Sequence, residues 1–281
     1  MHLALDPAFQ PFPDLPLLTH ETFIFAGGEP HLKLALPGTL PTRVQISHRL
    51  CSSADVVLLL LAVDALRRAG VDRIDAFLPY FPGGRQDRPM VGGEPLSAKV
   101  YAQLINGADL NRMTIYDAHS DVTPALLDRC TALTNHRYVA TIVRELPANL
   151  LLIAPDGGAL KKVHHLAAAL QDYPVITCEK SRDVRTGALS GFRVHAEQLY
   201  QQPCLIVDDI CDGGGTFLGL AEALKAKGAG PLYLAVSHGI FSKGIEALAE
   251  AFDRVFATDA FRHTVQHPAL TTIPLRSGIT F

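Results

Sequence analysis

Residues 205–216 run Leu-Ile-Val-Asp-Asp-Ile-Cys-Asp-Gly-Gly-Gly-Thr, an apolar stretch followed by acids, glycines and a hydroxyl. A strand that opens into a glycine-rich turn and then a helix turns backbone N–H groups outward. With the Thr216 hydroxyl, those groups at Gly213, Gly214 and Gly215 make a cradle for a phosphate. The helix dipole adds roughly 0.3–1 kcal/mol for an anion there. The carboxylates of Asp208, Asp209 and Asp212 repel phosphate. The paired acids suit ribose hydroxyls or a phosphate-bridging magnesium ion, since hydroxyl donors and hard cations both seek carboxylate oxygens. The bland alternative is a tight strand–helix turn with an acidic N-cap. The unbroken order of strand, acids, glycines and threonine favours a ligand site.

Other chemistry-bearing residues stand in short loops. Gly83-Gly84-Arg85-Gln86-Asp87-Arg88 follows an apolar run, and its two arginines can offer bidentate forks to phosphates. A solvated turn with paired surface arginines is the alternative. His119 follows a second apolar run, where an imidazole serves equally as a phosphate donor, a metal ligand or a structural histidine. Lys180 and Arg182 follow a third, and by themselves read as a solvated basic loop. His164 and His165 are adjacent on a helix and so point to different faces, which suits surface and packing positions.

The elements that must position these loops alternate. Strand patterns cover 74–80, 112–116, 150–154, 174–178, 203–207 and 231–236. Helical patterns cover 53–69, 96–105, 160–170 and 216–227, the last stopped by Gly228 as a C-cap. Such alternation predicts an α/β fold with mainly parallel sheets covered by helices on both faces. Two similar units are expected, 1–136 and 137–281. In such sheets ligands sit at the carboxyl ends of the strands, where every loop named above falls.

Composition narrows the class further. The chain has 281 residues, 48% of them hydrophobic, and a net charge of -3, so it has no basic stripe for nucleic acid. The apolar run 56–63 is far short of a membrane span, and Met1-His2 opens no signal peptide. Five scattered cysteines, without a C-x-x-C pair, predict a reduced, cytoplasmic protein with neither a disulfide framework nor a structural zinc site.

The acidic glycine loop resembles the loop that binds phosphoribosyl pyrophosphate (PRPP) in PRPP synthetases and type I phosphoribosyltransferases. The segment Pro79 to Arg88, with its Arg-Gln-Asp-Arg run, is similar to the ATP segment of the synthetases alone. Tyr116-Asp117-Ala118-His119, Pro155-Asp156-Gly157-Gly158 and Lys180-Ser181-Arg182 match in the same order. The chain is thereby identified as resembling the ribose-phosphate pyrophosphokinase (PRPP synthetase) family. The resemblance implies two tandem phosphoribosyltransferase-like, Rossmann-like domains, the first on the ATP side and the second carrying the sugar-phosphate loop. It implies transfer of the β,γ-diphosphoryl group of ATP to the anomeric hydroxyl of ribose 5-phosphate. It also implies magnesium held at His119 and Asp156, and catalytic Lys180 and Arg182 on a mobile loop. ATP contacts are implied at Arg85, Gln86, Asp87, Arg88 and His119, with Phe25 stacking on adenine and Glu29 accepting from its amino group. A homo-oligomer, dimer or hexamer, follows as well.

Three departures bear on substrate and assembly. Gly213 stands where the family carries threonine, which opens an alternative: the same transfer to a 5-substituted ribose such as ADP-ribose, within NAD metabolism. Gly27 replaces an aspartate in the Phe25–Glu29 loop, and the chain ends soon after Ser277-Gly278. A silent nucleotide-binding regulator is the third reading. The presence of Lys180, Arg182, Asp156 and His119 argues against it.

Overall fold

The structure, a computed structural model, describes residues 1–39, 41–182, 189–262 and 265–277, with the side chains of 181, 182, 189, 190 and 277 outside the description. The chain divides into two units. The first holds Met1–Thr134, to which Ala260–Arg262 and the closing turn Leu275–Ser277 return. The second is built on Asn135–Asp259.

The first unit contains β1 (His2–Ala4), β2 (His20–Ile24), β3 (Pro30–Leu34), β4 (Arg43–Ser47) and α1 (Ser53–Arg68). After them come β5 (Arg73–Phe77), α2 (Ser97–Asn106), β6 (Arg112–Tyr116), α3 (Val122–Leu126) and β7 (Cys130–Leu133). Its main sheet has the order β1-β4-β5-β6-β7 and is parallel throughout. Helix α1 shows why the sequence folds this way. The Ser52 hydroxyl caps it by accepting from Asp55 N–H, and Arg67 and Arg68 close its last turn. Val56, Leu59, Val63 and Leu66 fall on one face at helical spacing and join the buried core with Ile46, Ile74 and Leu78. Strands β2 and β3 form a separate antiparallel hairpin, whose Leu32 reaches the same core.

The second unit contains α4 (His136–Val143), β8 (Leu151–Ala154), α5 (Gly157–Ala169), β9 (Val175–Arg182), β10 (Leu189–Val194) and β11 (Cys204–Cys211). It closes with α6 (Gly215–Ala226), β12 (Leu232–Gly239), α7 (Glu246–Ala251), β13 (Arg254–Thr258) and β14 (Leu270–Ile273). The sheet order is β10-β9-β8-β11-β12-β13-β14, parallel except for β10 against β9. From β8 the chain winds outward to β9 and β10. It then returns to β11 on the other side and proceeds to β14. The order therefore reverses between β8 and β11, the address at which doubly wound sheets bind ligands.

The expected α/β class with mainly parallel sheets is the observed one. The expected elements differ from it at several places, and helices α3, α4 and α7 were not expected. Strands β1, β4, β7, β10, β13, β14 and the β2–β3 hairpin were not among the predicted strands, being short or polar on one face. The run predicted at 203–207 continues as β11 to Cys211, because Asp208, Ile210 and Cys211 keep register with Val236, His238 and Gly239. The predicted loop at 179–182 is the end of β9, since antiparallel β10 supplies its ladder partners and pairs Lys180 with Phe192. The segment expected to be mobile, 183–191, falls largely outside the described residues. Gly228 does end α6 in the left-handed region, with φ of 74°.

Candidate functional site

In the second unit the switch between β8 and β11 gathers charged side chains. Asp156 follows β8 as the N-cap of α5, and its Oδ1 accepts from the Ala159 N–H at 3.0 Å. Gly158 leaves room for that carboxylate, because a Cβ there would stand 3.1 Å from Asp156 Oδ1. From neighbouring β9 the Lys180 ammonium pairs with the Asp156 carboxylate, and both side chains are largely buried. Burial pushes the Asp156 carboxyl up. Lys180 and the N–H groups of Ala159 and Gly158 outweigh it and hold the group below the usual carboxylate range.

Asp208 and Asp209 sit within β11, not after it, and the Asp209 N–H donates to Asp208 Oδ1 at 2.9 Å. Burial first, then the neighbouring Asp209 carboxylate and the charge of Asp156, push the Asp208 carboxyl well above its ordinary value. Asp208 thus feels the charge of both Asp209 and Asp156, of which Asp156 is paired with Lys180, and the surplus negative charge invites hydroxyl donors or a hard cation. Among the described residues, no three His, Cys, Asp or Glu side chains form a complete metal cage. Magnesium does not need one, since it takes one or two carboxylates and fills its shell with water and phosphate oxygens.

Beyond β11 the chain turns through Asp212 and Gly213 into α6. Gly214 is the N-cap with φ 78° and ψ -10°, a left-handed conformation, and a Cβ there would press on the Leu248 side chain at 3.2 Å. No side chain caps α6, so the first N–H groups of the helix, at Gly215 and Thr216, stay available to an anion. The turn after β12 docks on this loop. The Ser242 hydroxyl donates to Asp212 Oδ1 at 2.6 Å, and the Ser242 N–H donates to the Asp212 carbonyl at 3.2 Å.

The sequence-predicted residues of the first unit lie in two places. The Arg85–Arg88 loop leaves the carboxyl end of β5, and the 117–121 loop leaves that of adjacent β6. A Cβ at Gly84 would stand 3.6 Å from the Thr123 hydroxyl, at the start of α3. Gly83, at φ 72°, is required for this turn, since a Cβ would meet the Tyr101 ring at 2.9 Å. Arg85, Gln86, Arg88 and His119 are exposed, and Asp87 is half-buried. Asp117, two residues before His119, is buried with φ 40°, a strained turn that aims the loop. Phe25 and Glu29 sit elsewhere, on the tip of the β2–β3 hairpin, where Phe25 packs edge-on to Phe23 at 5.0 Å between ring centroids. The Glu29 carboxylate folds back over Gly27, and the turn closes through the Phe25 N–H to the Glu29 carbonyl at 2.9 Å and the Gly28 N–H to the Phe25 carbonyl at 2.8 Å, with Gly28 at φ 94°.

The structure therefore brings Asp156, Lys180, Asp208 and Asp209 together and places Asp212 to Thr216 beside the last two. The Arg182 side chain lies outside the described residues. Sequence reading passed over Ser242 and Lys243. Their only signal was a polar Ser-Lys-Gly turn after a buried strand, a pattern that turns share generally.

The chain thus consists of two α/β units with mainly parallel sheets, one bearing an acidic, glycine-rich loop at its switch point. The model of the N-terminal domain of ribose phosphate pyrophosphokinase matches residues 16–108. A ribose-phosphate pyrophosphokinase of Bradyrhizobium diazoefficiens is 34% identical over 236 residues, spanning 79% of this chain and 72% of that one. The corresponding protein of Mycoplasma pneumoniae is 32% identical over 231 residues, spanning 80% and 69%. The fold matches a crystal structure of phosphoribosylpyrophosphate synthetase from Mycobacterium smegmatis with a TM-score of 0.83, at 24% identity, covering 99% of this chain and 95% of that one. The chain belongs to the ribose-phosphate pyrophosphokinase family.

Proposed function

We propose that this chain is an ATP-dependent diphosphokinase that transfers the β,γ-diphosphoryl group of ATP to the anomeric hydroxyl of ribose 5-phosphate, giving AMP and PRPP. The observation that carries the reading is the juxtaposition in the second unit. The Asp208–Asp209 carboxylate pair stands beside the uncapped N-terminus of α6, with Lys180 one strand beyond Asp156. Carboxylates accept from ribose hydroxyls, and Asp212 to Thr216 hold the phosphate at the other end of the same sugar.

In the first unit, Arg85 and Arg88 grip the ATP phosphates as forks, while Gln86 and Asp87 contact nucleotide. Phe25 stacks on adenine, and Glu29 accepts from its amino group. Lys180 and Arg182 stabilise the charge that grows on the transferring phosphates. Asp156, a half-buried hard donor amid surplus negative charge, fits a magnesium ion near the sugar, and His119 is expected to hold a separate, ATP-bound ion. When bound, these ions would neutralise phosphate charge. A homo-oligomer, dimer or hexamer, in the cytoplasm completes the reading. The five free thiols suit a reducing compartment, and among the described residues no helix is long and apolar enough to cross a membrane.

The test is the nucleotide product. Incubation with ATP, magnesium and ribose 5-phosphate should release AMP, and phosphorus NMR should show a pyrophosphate attached at the anomeric carbon. Steady formation of ADP with a phosphorylated sugar would sink the proposal. The same assay with ADP-ribose in place of ribose 5-phosphate tests the alternative acceptor, a 5-substituted ribose.

A further inference from the structure

Gly213 was expected to leave a gap in the phosphate loop, but the gap is filled. A Cβ at Gly213 would lie 3.3–3.4 Å from Cγ, Cδ and Cε of Lys243, so the lysine stem runs across the face of the glycine. The turn that carries Lys243 is fixed on both sides. Ser242 is tied to Asp212 through its hydroxyl at 2.6 Å and its N–H at 3.2 Å. On the other side the Gly244 N–H donates to the Phe241 carbonyl at 2.9 Å, and Gly244 takes φ 79°, a conformation that suits glycine. Phe241 and Ile245 are buried, which anchors the turn to the core of the second unit. Among the described residues the Lys243 ammonium group makes no ion pair or hydrogen bond.

The charge balance at the loop gives this cation a task. Asp208 and Asp209 lie in β11 and Asp212 in the turn that leads to the α6 N-terminus, and a phosphate held near these acids needs positive charge in addition to backbone N–H groups. Lysine acts as a point charge on a phosphate, and a preset anchor lowers the ordering cost of its flexible stem. We propose that Lys243 is a specificity-determining residue of the sugar-phosphate loop, selecting a sugar that ends in a phosphomonoester over one whose 5-phosphate is a diester. Two effects act in the same direction. A monoester dianion carries one charge more than a diester, so it gains more from the ammonium. The stem also fills the volume that the second substituent of a diester would enter. Gly213 and Lys243 are then one device, with the glycine making room for the lysine. The inference rests on the sugar-phosphate reading given above.

The experiment measures binding separately from turnover. Wild type, Lys243→Gln and Lys243→Arg are titrated calorimetrically with ribose 5-phosphate and with its methyl phosphodiester. Wild type should prefer the monoester. The glutamine variant should lose about 10- to 100-fold in affinity for it, the range expected for a hydrogen bond to a charged group, and much less for the diester. Arginine should restore most of the preference, and the KM for ATP should not move. The inference is overturned if Lys243→Gln binds both ligands as wild type does, weakens both equally, or if wild type ignores ribose 5-phosphate or prefers ADP-ribose. A Lys243-dependent monoester preference in a protein that releases no AMP would leave this inference standing and remove the diphosphokinase reading. Lys243 is exposed, so its replacement should leave the fold intact.

Discussion

Replacing Lys180 with alanine separates the ion pair seen in the structure from the catalytic task proposed for the same ammonium group. In the resting protein Lys180 pairs with Asp156, its side chain 26% exposed and that of Asp156 21%. In the proposed reaction the same group meets the phosphate charge. Loss of one preorganised donor costs about 2.7–4 kcal/mol of barrier, or roughly 10²–10³ in kcat. The cost in stability should be far smaller, about 1 kcal/mol, because the pair is partly solvated and Asp156 keeps its bonds to the α5 N-terminus. The remaining carboxylates lose a counter-charge at the same time, so a divalent cation should bind more tightly. The variant should therefore show a lower kcat, a magnesium dependence moved to lower concentration, and a nearly unchanged urea midpoint. AMP release across a magnesium series, calorimetric magnesium binding and urea unfolding measure the three quantities. If kcat holds and only the KM for ATP rises, Lys180 binds ground-state nucleotide. If stability falls by about 3 kcal/mol or more and activity falls with it, Lys180 is a structural counter-ion to a buried acid. Either result refutes the argument.

Two other expectations concern the fold around the sites. Gly214→Ala forces a side chain into the left-handed region and onto buried Leu248, so it should destabilise by about 1–3 kcal/mol and weaken ribose 5-phosphate binding. Unchanged urea and calorimetric titrations would show that the turn adapts. Burial holds His48 and His2 at about 4, below their ordinary value of 6.5. The unfolded chain therefore takes up their protons first. The stability they contribute is complete above pH 6.5 and drains as pH falls toward 4, by an order of 3 kcal/mol for each histidine. Urea unfolding from pH 7 to 5 should show this slope, and His2→Gln should flatten it. A flat wild-type profile would contradict it.

The parts of the site that sequence makes legible are those whose partners are neighbours in the chain. Strand, acids, glycines and helix start all fall within 205–216, and the physics joining them is local. Orphan N–H groups at a helix start and a left-handed turn need only glycine in the right place. Gly83 in the arginine loop is legible for the same reason. Lys180 was not. Its polarity and that of Glu179 suggest a loop, but the ladder partner of this segment is β10, which follows residues 183–188. A strand end paired with an antiparallel neighbour can be polar and still be a strand once its hydrogen bonds are met. The pairing of Lys180 with Asp156 then depends on β8 and β9 lying side by side, and no residue spacing records that.

The same limit explains the network that draws Arg262 onto the first unit. Arg262 Nε donates to Asp6 at 3.1 Å across a separation of 256 residues, and Arg49 binds the same carboxylate at 2.6 Å. Asp6 responds as a carboxylate between two guanidinium groups should. Burial pushes it up, and Arg49 and Arg262 together bring it below its ordinary value. Read singly, these are scattered charges of the kind that composition treats as surface. Gathered on buried Asp6, beside buried Arg49 and exposed Arg262, they become mutually dependent, because removing Arg49 above all leaves part of a buried charge without its counter-ion. Gly213 belongs with them. Its meaning as a gap or a seat depends on Lys243, thirty residues later, and only the packing of the β12 turn against Asp212 decides between the two.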